Sequence, residues 1–513
     1  MLGISQANVD ANLESKRMAL EATIGYPVDI IIFNDTAGRQ SAKILWVKPT
    51  TVRQIQLLVR GANNLNLKMR VVGAAHTFSA LYPDPLQIGV SLDDFRGEKY
   101  HLNEKRDKLT VLSSERLEDV LKWAAGKGVT FGPVPDALVS TIPGITATSS
   151  HSTGVHFGPF ANMVYGYELV DGSANVRKIN EDDNKEIIDA CRVHLGLCGI
   201  IYKTVLKVLP DRIQRLTIAN IPIKKLLDNE NRKNLVINNL GAQLNLNYDF
   251  KSATEKEMEK MLADPLRRIP DSYDIFKEEM RLWLWSDVDQ NTRLRDIYND
   301  TITLADGSEY DAVSVIKPFS ATSTGLLSNS KYQCYQFRTS VSFAAPESDD
   351  FTESNKTIMN HLTILEDIFK DVGFYPHFGG SWIRWMKHFD NCLLCTTKVA
   401  DDSSKYRLVT FTEMSTDFDK CEEPLISEEH SMKQILMETQ FGVSTMKNNP
   451  RVVPHWAKHF QHIPGTTDQI RRHFGNDLRT FINLRNKYGL DYKNLFLNNH
   501  LKDIFRDAFV KFL

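Results

Sequence analysis

A chain of 513 residues exceeds what one hydrophobic core ordinarily supports, which predicts two domains or one interrupted by the other. Its 62 basic residues stand against 64 acidic ones, a near balance that excludes a global field for recruiting nucleic acid or an acidic membrane, and leaves a small molecule as the expected partner. With 42% apolar and 25% charged residues the composition is that of a packed globular protein, not of a disordered or fibrous one.

Cys191, Cys198, Cys334, Cys392, Cys395 and Cys421 are too sparse for a disulfide framework and read as thiols of a reducing compartment. The close pair Cys392-Leu393-Leu394-Cys395 lies in an apolar run with no second ligand pair for zinc, so core thiols are expected ahead of redox or metal chemistry. The N-terminus carries Asp10 and Glu14 without the apolar run of a secretory signal, and no stretch approaches 18 apolar residues. An intracellular, cytoplasmic location is therefore expected, and peripheral attachment to a membrane would leave no such trace.

In chain order, Pro49 and Thr50 precede a helical pattern of Val52, Ile55, Leu58, Val59 and Ala62. A short strand follows from Met69 to Gly73, and a second helix, Glu115 to Lys127, aligns Leu117, Val120, Leu121 and Ala124. From Thr146 the texture turns small and polar, then gives a strand pair around Glu168 to Gly172 and a glycine turn, Gly196 to Gly199, feeding the apolar strand Ile200 to Leu209. A break follows Pro210. Beyond it stand strands such as Leu282-Trp283-Leu284-Trp285 and Tyr332 to Phe337, and an amphipathic helix from Ser354 to Asp371 with Ile358, Leu362, Leu365, Ile368 and Phe369 on one face. Antiparallel sheet plus helix is the expected content there. A helical tail closes the chain after Pro450.

Three stretches carry candidate chemistry. Val71 to Ser79, reading Gly73-Ala74-Ala75-His76-Thr77-Phe78-Ser79 after a strand, is small enough for successive backbone N–H groups to close on a phosphate pair, and it equally fits an ordinary strand-to-loop turn. Ile142 to Gly154 is rich in hydroxyls and poor in bulk, which suits a flat, anionic ligand or a solvated loop and promises little core. His151 and His156 lack the partners of a zinc site. In Pro454-His455-Trp456-Ala457-Lys458 a cation follows an aromatic and an imidazole; a placed charge and a surface lysine both fit.

The order of these stretches, with Ala190 to Ile201 between the second and third, resembles the vanillyl-alcohol-oxidase-type (PCMH-type) FAD-linked oxidoreductases, among them the aldonolactone oxidases and alditol oxidases. The resemblance runs from about residue 38 to 212 and over 451 to 500. It implies an α+β fold: a two-subdomain FAD-binding domain at 38–212 after a lead-in at 1–37, an α+β cap with an antiparallel sheet at 213–450, and a segment at 451–513 returning to the flavin. Gly73, Ala74, Ala75, His76, Thr77, Phe78 and Ser79 would wrap the pyrophosphate, with His76 in the place of the histidine often joined covalently to the flavin. Gly144, Ser149, His151, Ser152 and Gly154 match FAD-contacting positions, and Gly199 and Ile201 match the turn on the adenine side. His455 and Lys458 match the His-Trp-x-Lys motif at the flavin's N1 side. The implied reaction is hydride transfer from a sugar lactone or polyol to FAD, which O₂ or another acceptor reoxidises.

Two departures stand out. The loop has alanines where relatives often have glycines, so its backbone is expected to avoid positive φ at Ala74 and Ala75. In Gly379-Gly380-Ser381-Trp382-Ile383-Arg384-Trp385 the family's Glu-x-Arg keeps Arg384 but has Trp382 for the carboxylate. His455 and Arg384 are then the candidates to orient or deprotonate the substrate hydroxyl, beside Lys458. A flavin-binding scaffold or sensor that has lost catalysis is the competing reading. A nicotinamide dehydrogenase is disfavoured by the lack of a Gly-x-Gly-x-x-Gly turn.

Overall fold

The computed structural model describes residues 6–35, 38, 40–246, 277–322, 339–372, 381–416 and 428–509. The strand expected at Tyr332 to Phe337, the pair Gly379 and Gly380, and Cys334 and Cys421 lie outside them.

The first sheet has four strands in the order Asp29–Asn34, Ser41–Val47, Ile88–Ser91, Met69–Val72, the first pair antiparallel and the others parallel. Its helix, Val52–Asn64, buries Ile55, Leu58, Val59 and Ala62, the spacing of one helical face, and starts where Thr51 accepts the Gln54 N–H. An earlier helix, Gln6–Ile24, packs on it through Leu20 and Ile24, so the first 37 residues supply a helix and an edge strand. Gly61 permits the contact: a Cβ there would lie 2.8 Å from Ile24 Cγ2.

The second sheet is antiparallel, in the order Tyr100–Leu102, Lys108–Leu112, Ile200–Lys207, Val164–Val170, Val176–Asn180. Glu181–Cys191 follows it, capped by Asn180, which accepts the N–H groups of Asp182 and Asp183. The turn into Ile200–Lys207 needs Gly199, whose φ is +111° and whose Cβ would stand 2.7 Å from the Val170 carbonyl.

Nine antiparallel strands form the third sheet: Arg295–Thr303, Glu309–Pro318, Ile213–Pro222, Glu279–Asp287, Gly241–Leu246, Ser381–Lys387, Leu408–Thr416, Thr339–Pro346 and Val453–Pro454. Helices Thr352–Val372 and Glu428–Asn448 pack on each other and on its strands. The last strand pairs on Thr339–Pro346 and so brings the chain back from the sheet to the segment that follows Pro454.

Two expectations are corrected. Residues 142–147 form a short helix with Ile142 and Ile145 fully or almost fully buried, because Pro143 in the first turn favours helix entry and both isoleucines fall on the inner face. The four described cysteines are not separate thiols: Cys191 pairs with Cys198 and Cys392 with Cys395, each pair with Cα atoms near enough for a bridge, at 6.3 and 5.5 Å. No described helix is long and apolar enough to cross a membrane.

Candidate active site

A cavity of about 270 Å³ lies where the stretches 70–82, 135–151, 194–201 and 455–458 converge, roofed by residues of the nine-stranded sheet. One side chain ties two of these walls to the C-terminal segment. Arg70 is buried, and its guanidinium donates to the carbonyls of Leu81 at 2.8 Å, Leu195 at 2.7 Å and Phe496 at 2.8 Å. Burial draws its pKa down to about 10, so it stays charged at neutral pH. Sequence reasoning passed over it; a lone arginine inside the strand Met69–Val72 was the available signal.

Gly73, Ala74, Ala75, His76, Thr77 and Phe78 line the cavity. Tyr82 fixes the loop by accepting the Thr77 N–H and donating to the Thr77 carbonyl. Ala75 does not avoid positive φ; it sits at +54°, because the loop must reverse there whichever side chain it carries. Ser79 is buried behind the loop and donates to the Trp456 carbonyl. Across the cavity Gly144 contributes to the wall, and Thr141 Oγ1 lies 2.5 Å from where a Cβ of Gly73 would be and 3.0 Å from one of Gly144. Loop and helix thus meet at a distance only glycines allow.

His151, Gly199 and Ile201 also line the cavity, whereas Ser149, Ser152 and Gly154 do not. Ser149 exchanges hydrogen bonds with Thr396 in the 3₁₀ turn Thr396–Val399, and Gly154 donates its N–H to the Trp385 carbonyl, which ties this segment to the nine-stranded sheet. Ser152 accepts at its carbonyl from His151 Nδ1 at 2.9 Å.

The roof concentrates charge. Arg384 donates from Nε to Gln243 and from Nη2 to Asp136, both at 2.7 Å, and its Nη1 lies 3.9 Å from Glu413. Lys458 Nζ donates to Ser340 Oγ at 2.9 Å and pairs with Glu413. Glu413 lies on Leu408–Thr416 with its Cα opposite Trp382 in the ladder. The strand beside Trp382 thus brings a carboxylate to the cavity. Its trace in the sequence was a single acid among uncharged strand residues, Leu408 to Thr416.

His455 lines the cavity but both ring nitrogens are committed: Nε2 donates to the Ser149 carbonyl at 3.1 Å, and Nδ1 accepts the Ala457 N–H at 3.1 Å. Burial, then the Lys458 charge, lowers its pKa to about 4. A neutral ring with both nitrogens engaged braces the turn. Trp456 is buried and donates from Nε1 to the Leu394 carbonyl at 2.7 Å, a structural anchor for the same turn. His151 stacks on Phe411 with centroids 3.7 Å apart, and burial, with the neighbouring His455 and the Arg384 charge, holds its pKa well below the usual imidazole value.

A family described as an FAD binding domain matches residues 44–180. This protein carries a PCMH-type FAD-binding fold. Among curated relatives, the L-gulonolactone oxidase of Mus musculus is 24% identical over 186 residues, 36% of this chain and 42% of its own length. The D-arabinono-1,4-lactone oxidase of Kluyveromyces lactis is 22% identical over 216 residues, 41% of each chain. The match thus spans about two fifths of the length of these relatives. Among solved structures, a cholesterol oxidase from B. sterolicum superposes with a TM-score of 0.65 at 12% identity, over 94% of this chain and 98% of that one. A BBE-like protein of Physcomitrella patens gives 0.62 at 13% identity, over 94% and 97%. The flavoprotein's cavity fits the cofactor: glycines at the loop-to-helix approach leave backbone within reach of phosphates, and the charged roof residues share the same cavity lining.

Proposed function

We propose that this flavoprotein is an oxidoreductase that removes hydride from a carbon bearing a hydroxyl group in a sugar-derived substrate, an aldono-1,4-lactone or an alditol. The single observation that carries the reading is the Glu413, Lys458 and Arg384 cluster over the cavity of an FAD-binding fold. Bound FAD supplies the hydride acceptor. Glu413 accepts the hydrogen bond of the reacting hydroxyl and takes its proton as the C–H bond breaks. Lys458 places a positive charge where negative charge develops, which suits a contact worth about 3 kcal/mol in a preorganised site. Arg384, held by Gln243 and Asp136, orients the substrate oxygens, and Trp382 beside it excludes water.

In this reading Gly73 to Phe78, Gly144, His151, Gly199 and Ile201 hold the cofactor, with His76 as the point of covalent attachment, and O₂ or another acceptor takes the electrons. The scaffold reading drew its support from a lost carboxylate, and Glu413 removes that support. The test is an absorption spectrum of the purified full chain before and after acid precipitation, then anaerobic mixing with sugar lactones and alditols. A flavin band that bleaches with one of them is the expected result, and colour that stays in the pellet assigns the link to His76 if H76A releases it. A yellow protein that no such substrate bleaches overturns the activity.

A further inference from the structure

Behind the roof, away from the residues that line the cavity, three side chains from two elements aim their donor atoms at one point. Glu438, on helix Glu428–Asn448, is fully buried. Its Oε2 lies 2.6 Å from His459 Nδ1 and 3.3 Å from His462 Nε2, and the three donor atoms all fall within 4.8 Å of one another. Its Oε1 accepts from Thr339 Oγ1. The two imidazoles face each other with centroids 4.1 Å apart, and the His459 amide is fixed on the Ser340 carbonyl at 2.8 Å.

A buried carboxylate needs a cation. A divalent ion takes a lone pair from all three groups at once. Zinc with bonds of about 2.1 Å spaces tetrahedral donors about 3.4 Å apart, close to the 3.3 Å between Glu438 and His462 and wider than the 2.6 Å between Glu438 and His459, which must open as the ion enters; two histidines with one glutamate form a set it favours. Thr339 plays the part of the outer hydrogen bond that fixes a ligating carboxylate, so one oxygen is anchored and the other turned to the ion. His462 is the least buried of the three.

We propose that Glu438, His459 and His462 form a divalent metal site, of the class that takes zinc. The ion cross-links helix Glu428–Asn448 to the turn that carries Lys458, whose Nζ rests on Ser340, the neighbour of Thr339. This does not depend on the proposed oxidation.

The test uses the dialysed, FAD-loaded full chain and zinc or cobalt salts alone. Zinc is expected to bind at one equivalent per chain and raise the melting temperature, and cobalt to give the visible bands of a tetrahedral nitrogen and oxygen site to the red of the flavin. H462A should abolish both while keeping the flavin spectrum, and T339V should weaken zinc binding about 10- to 100-fold. Absence of saturable uptake by the unmodified chain overturns the site, as does unchanged affinity in H462A. Should H462A fail to fold, the cobalt spectrum of the unmodified chain decides, and octahedral or absent bands count against the proposal.

Discussion

Glu413 stands directly across an antiparallel ladder from Trp382, so that their side chains share the face of the sheet that roofs the cavity. The position matters more than the strand. If the carboxylate serves by facing the substrate beside Arg384, E413Q should lower the rate of anaerobic flavin reduction by about 10²- to 10⁴-fold. The double variant E413Q/W382E, which returns an acid to the opposite position, should recover part of that loss. Stopped-flow reduction checks both, and a double variant no faster than E413Q would show that the place on Leu408–Thr416 is itself required.

Lys458 is paired with Glu413 and Ser340. Its charge is expected to act as hydride moves, where negative charge develops. K458M should slow flavin reduction by about 10²- to 10³-fold with a much smaller change in substrate affinity, the pattern of a contact made in the transition state. Single-turnover rates against lactone concentration separate the two effects.

Local elements were legible because their patterns are local. The periodicity of Ile55, Leu58, Val59 and Ala62 gave the helix Val52–Asn64, and the glycine turn at 196–199 gave the start of Ile200–Lys207. Site features made by pairing between distant strands were not. Nothing in the spacing of Trp382 and Glu413 announces that they are opposite each other, since register depends on partners chosen in the folded sheet. The same holds for Arg70, whose three carbonyl partners are 11, 125 and 426 residues away. His455 lines the cavity, and its hydrogen bonds to Ser149 and Ala457, which engage both ring nitrogens, exist only after folding.

Arg70 joins the loop after Met69–Val72, the 194–199 turn and the C-terminal segment through three charge-assisted hydrogen bonds. R70M keeps much of the volume but orphans three buried carbonyls, at about 1–3 kcal/mol each. It should lower the melting temperature and release FAD on gel filtration, whereas R70K should lie between. Calorimetry and the flavin-to-protein absorbance ratio measure these outcomes.

Acid should destabilise the fold before carboxylates titrate. Burial lowers the pKa of His194 to about 3 and those of His388, His455 and His500 to about 4, while unfolded histidines titrate near 6.5. Below the unfolded value the unfolded chain binds protons that the folded chain refuses. Stability is therefore complete above about pH 6.5 and falls toward pH 4, each such histidine costing about 1.4 kcal/mol per pH unit in that window. Melting temperatures across pH 7.5 to about 4.5 should trace the decline, and H500Q should flatten it.

Two backbone positions in the cavity wall pull in opposite directions. Ala75 holds a left-handed conformation at φ +54° that costs an alanine about 1 kcal/mol relative to glycine, so A75G should leave the melting temperature unchanged or slightly raised. Gly199 combines φ +111° with a Cβ position 2.7 Å from the Val170 carbonyl, which belongs to a strand paired in the same sheet and has no room to retreat. G199A should then cost about 2–3 kcal/mol or more and shift Ile201, which lines the cavity, weakening FAD retention. Equal melting temperatures for A75G and G199A would mean that the turn at 199 relaxes freely and that its glycine is not what shapes this wall.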